Sequence, residues 1–322
     1  MWVKQYGILF MDIKNKSNKL NNKYINLLRI AGEILAPLVI YYITYLFSYI
    51  ILTTVVIEIL QLDRYIFGHE KTVRAILGSI SMLAGILPLI SSFKREINVR
   101  NKQDIHEGNT NDAKGIKNAN DIKNAKDIKN TKNKNNTKSI KKKKGISIYK
   151  SALITITLAI TSSVAINILF IWLHLTENSE TYSRVAELQY GVSLVTGLIL
   201  YGIISPLAEE VVFRGIIYNR IRKNCSIIAA VFLSALLFGL YHGNIVQGTY
   251  GFIMGILIAY TYERYGRFLH AFLFHAAANT AVYIISSNEA ISRLMITPHI
   301  CLIFIFISAF LLWRMNKSKL IK

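Results

Sequence analysis

The chain has 322 residues, 52% of them hydrophobic and only 17% charged, with a formal net charge of +20. Its apolar residues come in uninterrupted blocks rather than at a period of 2 or 3.6, which excludes an ordinary water-soluble domain and points to a bilayer as solvent. The two cysteines, Cys225 and Cys301, have neither CxxC nor paired spacing, so no disulfide and no cysteine zinc site is expected.

In chain order, apolar stretches predict transmembrane helices near 34–61, 76–93, 151–174, 188–217, 227–243, 247–264, 267–286 and 299–314. The fourth is long and the fifth short. Residues 1–28 are basic and polar and show no cleavable leader pattern, so none is expected. The expected fold class is all-α, a polytopic transmembrane helical bundle of about eight spans with its active site within the membrane. It divides into an N-terminal segment of two spans over 1–93, a linking loop over 94–150 and a six-span core over 151–322.

The charge is not spread over a surface. Between Lys94 and Lys150 there are 17 Lys and Arg against 6 Asp and Glu. That stretch repeats Asp121-Ile-Lys-Asn-Ala as Asp127-Ile-Lys-Asn, ends in Lys141 to Lys144, and is nearly free of aromatics. It has too little apolar surface to fold, so it is expected to be a disordered loop attracted to anionic membrane lipids, with no nucleic-acid partner. The other basic groups fall on the same side of an eight-span count: Lys14 to Arg29, Arg220 to Lys223, Arg264 with Arg267, and Arg314 to Lys319. The positive-inside rule then places both termini in the cytoplasm of a multi-pass cell-membrane protein. The opposite side receives Glu177, Glu180 and Glu187 against a single Arg184, and the loop 62–75 carries both signs.

Ionisable residues inside spans are costly and mark candidate functional sites. Glu209, Glu210 and Arg214 interrupt the fourth span. Glu210 and Arg214, four apart, share a helix face and are expected to pair. Glu209 is turned about 100° away and is expected to have no local partner, as suits a general base. The fifth span ends Phe238-Gly-Leu-Tyr-His242-Gly-Asn244, where Gly243 and Asn244 are expected to break the helix beside a cavity. The seventh holds His275 and Asn279, again four apart. Counting rise per residue brings Glu209, His242 and His275 to one layer. Gly248, Gly251 and Gly255 read as helix-packing positions. Glu33, Glu263, Arg264 and His270 read as interfacial anchors, and Tyr260, Tyr262 and Tyr265 as an aromatic belt.

At these residues the chain resembles the CPBP (CAAX protease and bacteriocin-processing, Abi) intramembrane proteases, relatives of the Rce1-type CAAX prenyl endopeptidases. The pattern is Glu209-Glu210 with Arg214, Phe238 with His242, and His275 with Asn279; Gly215 completes Phe-Arg-Gly. The resemblance covers about 190–285. It departs at Ile245 and at His270-Ala271, where many members have prolines. It implies an intramembrane endopeptidase in which Glu209 and His242 activate water. His275 and Asn279 would stabilise the oxyanion, with Glu210 and Arg214 in support. A metal-free mechanism is expected. Glu209, His242 and His275 are the ligand set if zinc is used, although no HExxH helix is present. The expected partner is a peptide or lipidated peptide; the Lys, Ile and Asn bias suggests an AT-rich prokaryotic genome, where prenylated CAAX substrates are not expected. Two other classes stay open: a small proton or cation transporter, and a non-catalytic bacteriocin-immunity or scaffold protein.

Overall fold

The computed structural model describes residues 2–61, 70–114, 147–177 and 179–317, and among them every regular element is helical. Seven helices are long and apolar enough to cross a membrane: Asn22–Ile59, Glu70–Lys102, Ile148–Trp172, Leu194–Asn224, Ile245–Tyr265, Phe268–Ser286 and Pro298–Lys317. The fifth of the eight expected spans is a helix of 15 residues, Ile227–Tyr241, shorter than the rest. The architecture is thus an all-α polytopic bundle.

Helix α1 (Trp2–Thr53) is followed by α2 (Glu70–Ile86) and, through a 3₁₀-helical stretch at Leu87–Leu89 within the same span, by α3 (Ile90–Lys114). The tightening falls where Pro88 brings no N–H to the helical ladder. The helical course of α3 corrects the expectation that residue 94 begins a disordered loop. Glu96 and Arg100 are buried by ion pairs that hold this part of the chain against the bundle. The Asp121 and Asp127 repeat and the Lys141 to Lys144 run lie outside the described residues, as do 62–69 of the mixed-charge loop and Lys319 of the tail.

Helix α4 (Ile148–Trp172) packs against both α11 (Phe268–Ser286) and α13 (Pro298–Lys317). Its many Ser and Thr are compatible with an apolar surround because their hydroxyls return to the previous turn: Thr155 donates to the Ser151 carbonyl at 2.8 Å and Ser162 to that of Leu158 at 2.6 Å. Thr161 and Ser308 share a 2.8 Å bond across to α13.

Helices α9 (Ile227–Tyr241) and α10 (Ile245–Tyr265) pack closely against each other. A Cβ on Gly239 would stand 2.6 Å from the Gly248 carbonyl oxygen, and one on Gly255 would stand 3.1 Å from the Ala235 backbone. Backbone therefore meets backbone along this seam, as small residues permit in a membrane. The connection is the expected break: Gly243 takes φ +71°, which favours glycine, and the Asn244 side chain accepts from the Gln247 N–H at 2.9 Å to cap α10.

The basic turns gather at one end. There Glu96, 3% exposed, accepts from Arg220 at 3.3 Å and from Lys223. Glu263 accepts from Arg100 at 2.9 Å, Tyr218 at 2.9 Å and Arg222 at 3.4 Å. Several residues expected at the lipid interface are built into this end instead. Arg264 is buried and donates to the Met315 carbonyl at 2.7 Å, and His270 is buried 2.9 Å from the Ser151 hydroxyl. Tyr262 is fully buried with its hydroxyl bonded to Asn219, and Tyr265 stacks on His270. Burial of paired polar groups inside the bundle replaces exposure in a headgroup belt. Glu33 is exposed, and the first apolar helix, Asn22–Ile59, begins before it rather than after it.

Candidate active site

The fourth span is not a uniform helix. It runs as α6 (Leu194–Ile199), a π-helical stretch Leu200–Ile204, α7 (Ser205–Val212), a second π-helical stretch Phe213–Tyr218 and α8 (Asn219–Asn224). Pro206 opens α7 without an N–H to donate. Widened turns of this kind are rare and collect at functional sites. Here they bracket the eight residues that carry both glutamates.

Glu210 and Arg214 are each 0% exposed and bonded at 2.8 Å, the pair expected from their spacing. The guanidinium also donates to the Gly255 carbonyl at 2.9 Å and lies 4.7 Å over the Phe238 ring. A buried ion pair of this kind holds only where further partners satisfy both groups. For Glu210 the further partner is His275, whose Nδ1 sits 2.7 Å from the same carboxylate oxygen.

Glu209, 7% exposed, does have a local partner, which corrects the sequence reading: the Ser205 hydroxyl, one turn back, donates to its Oε1 at 2.8 Å. Its other oxygen lies 3.7 Å from His275 Nε2. The His275 ring thus stands between the two carboxylates, with one nitrogen toward each. His242, half-buried at the end of α9, donates through Nδ1 to the Phe238 carbonyl at 2.8 Å, since a carbonyl oxygen only accepts. That bond leaves Nε2 of the neutral ring with its lone pair. Gly251 makes room for the ring, because a Cβ there would approach His242 to 3.2 Å. Phe238 packs edge-on against both imidazoles, with ring centroids 4.9 Å from His242 and 5.5 Å from His275. Asn279 donates to the Tyr201 carbonyl at 3.1 Å, which uses one of its two amide hydrogens.

Glu209, His242, His275 and Asn279 share the wall of one cavity of about 200 Å³. Glu210 and Arg214 are not on that wall. All six residues singled out in the sequence therefore belong to one neighbourhood, divided into a reactive wall and a buried support. Sequence reasoning missed Ser205, although its spacing of four from Glu209 is a helical signal. It also missed the contribution of α5 (Glu180–Tyr190), which sends Tyr182, Ala186, Gln189 and Tyr190 to the cavity. Their spacing of i, i+4, i+7 and i+8 marks one helix face. Among the described residues no three His, Cys, Asp or Glu are grouped so as to hold a metal ion.

Residues 191–281 match the family model described as Type II CAAX prenyl endopeptidase Rce1-like. The chain carries an Rce1-like domain. That domain contains all six site residues, from Glu209 to Asn279. A Bacillus subtilis (strain 168) protein named "Putative membrane peptidase YdiL" is 27% identical over 106 residues, covering 33% of this chain and 43% of that relative. The chain thus matches less than half the length of this curated relative. No solved structure matches. The family description names an endopeptidase, and the relative's name a membrane peptidase.

Proposed function

We propose that this protein is an intramembrane endopeptidase in which Glu209 and His242 activate a water molecule. The observation that carries this reading is the unequal treatment of adjacent carboxylates. Glu210 is neutralised by Arg214 away from the cavity, while Glu209 faces the cavity beside His275 and has only a hydroxyl bonded to it.

Glu209, with the lone pair of His242 Nε2 nearby on the wall, takes a proton from water as its oxygen attacks the scissile carbonyl carbon. The tetrahedral oxyanion is met by His275 Nε2–H and by the amide hydrogen of Asn279 that Tyr201 does not use. In that role the His275 ring carries a proton on each nitrogen, with Nδ1–H held by Glu210. Glu209 then returns the proton to the leaving amine as the C–N bond breaks. Glu210 and Arg214 keep His275 and α7 in register.

The reading includes no metal. The expected result is full activity after exhaustive treatment with a strong chelator; loss restored only by zinc would overturn it. The charge asymmetry of the turns supports a cell-membrane location with both termini cytoplasmic, and an anionic surface would attract the basic segment. The deciding test is cleavage of a quenched fluorescent peptide library by the purified chain in lipid nanodiscs, beside Glu209→Gln. Cleavage lost in the variant supports the peptidase; proton or cation flux in the absence of cleavage would favour a relay.

A further inference from the structure

Resting on the peptidase reading, the backbone ahead of Glu209 shows how the Asn279 amide comes to be aimed. A carbonyl buried in an apolar surround needs a donor, and within a helix the width of the turn decides which residue supplies it. In the widened stretch Leu200–Ile204 the donor stands five residues on, and at its end the Ser205 N–H goes back to the Leu200 carbonyl. The next carbonyl is that of Tyr201. An α-turn would serve it from residue 205, whose N–H goes to Leu200 instead. A π-turn would serve it from residue 206, which is proline and has no N–H. The change to α-helix at Ser205 thus falls where Pro206 interrupts the wider ladder. The Tyr201 carbonyl is left to a donor from outside its own helix.

That donor is Asn279 Nδ2, at 3.1 Å. Close approaches of α11 bring it there. A Cβ on Gly202 would stand 2.7 Å from the Thr280 hydroxyl oxygen, and one on Gly197 would overlap the Tyr283 ring. Because a carbonyl only accepts, the bond decides which end of the amide faces Tyr201. One hydrogen of Nδ2 is held there, so the second has a set direction, and Asn279 lines the cavity with Glu209 and His275. A donor aimed before the reaction begins is what stabilising an oxyanion requires.

We propose that Pro206 is a positioning residue for Asn279: having no N–H, it reserves the Tyr201 carbonyl for the Asn279 amide. It touches no reacting atom and acts only through that bond. One proline thereby opens the helix that carries Glu209 and fixes the amide that shares its cavity.

The test supplies the missing hydrogen and then takes it away again without the ring. Pro206→Ala restores an N–H at residue 206. Replacing Pro206 by lactic acid, through nonsense suppression, gives the ester analogue of that alanine, which lacks the N–H. Each full-length chain is labelled with nitrogen-15 asparagine in lipid nanodiscs, and the Asn279 side-chain amide is assigned by its absence in Asn279→Asp. Cleavage is followed on the peptide that the native chain cuts best from the quenched fluorescent library. In Pro206→Ala the Asn279 amide protons are expected to shift. There kcat should fall by about 10-fold at nearly constant KM, short of the roughly 10²–10³-fold for outright loss of an oxyanion donor. The lactic acid variant is expected to match the native chain in both readouts. An unmoved Asn279 amide in Pro206→Ala would overturn the proposal. Equal changes in both variants would also overturn it, since the ring rather than the missing N–H would then be responsible. An amide that moves while kcat holds would do the same. Pro206→Ser, which restores the same N–H, repeats the measurement should Pro206→Ala fold poorly. Were the native chain to cleave no peptide, the peptidase reading would fail, and the amide shift alone would still decide whether Pro206 holds Asn279.

Discussion

At the basic end of the bundle, Glu96 is held by Arg220 and Lys223, and Glu263 by Arg100 and Arg222 with the Tyr218 hydroxyl. Toward the other end, Glu209 faces a cavity with a bond from a serine hydroxyl and an imidazole 3.7 Å away, and no lysine or arginine is paired with it. Both settings bury carboxylates, yet the first consumes their charge in cross-helix ties and the second keeps it available to a reactant. Removing a carboxylate at the basic end should loosen the bundle and spare the chemistry. Removing Glu209 should spare the bundle and end the chemistry.

The largest effect is expected at Glu209. Its replacement by Gln keeps the shape and the Ser205 bond but removes the base, so peptide cleavage should fall by about 10²–10⁴-fold. Thermal unfolding in detergent should be nearly unchanged. A large loss of stability instead would place Glu209 with the structural carboxylates.

Next comes Arg214→Met, which leaves Glu210 charged and enclosed. Breaking a buried pair from one side costs about 3–5 kcal/mol, read as a lower unfolding midpoint in detergent. The double variant Glu210→Gln with Arg214→Met should recover part of that loss, because the stranded charge is gone. Failure to recover would mean that His275, bonded to the same oxygen at 2.7 Å, is the more important partner.

Much of this comparison was legible in the residues. Spacing of four placed Glu210 with Arg214, and the Gly243-Asn244 break was readable from the residue types alone. What the sequence hid was lateral burial. Tyr262 and Tyr265 look like belt aromatics by composition, but Asn219 and His270 on other helices draw them inside. Residues 94–114 look unfoldable by composition, yet Glu96 and Arg100 find partners on two distant helices. The pairings of Glu96 and Arg100 join residues more than a hundred positions apart, and local periodicity does not register them. The close seam of Gly239 and Gly248 is of the same kind, since one glycine's need is set by the other's backbone.

A smaller effect is expected from Glu263→Gln. It weakens bonds to Arg100 and Arg222 in a half-buried setting, at about 1–3 kcal/mol. Cleavage per folded molecule should match the native chain. A changed cleavage rate at full folding would show that the two ends are coupled, and the comparison would need to be redrawn as one network.

The smallest effect concerns α5, outside both settings. The Lys71 ammonium bonds to Glu187 and holds its exposed carboxyl below the ordinary carboxylate range. A depressed pKa means the tie is fully present above the ordinary carboxylate value and is lost as pH falls through the lowered one. Maleimide labelling of a thiol introduced as Gln189→Cys, taken relative to the free, half-buried Cys225 in the same molecule, should therefore rise as pH drops into that window. In Glu187→Gln the ratio should be flat across the same window and raised throughout. Global stability should not register the change, since the pair is exposed and screened. A ratio that ignores both pH and the substitution would mean that the Tyr283 bond to the Gln189 carbonyl, rather than the ion pair, sets how often α5 lifts from the cavity.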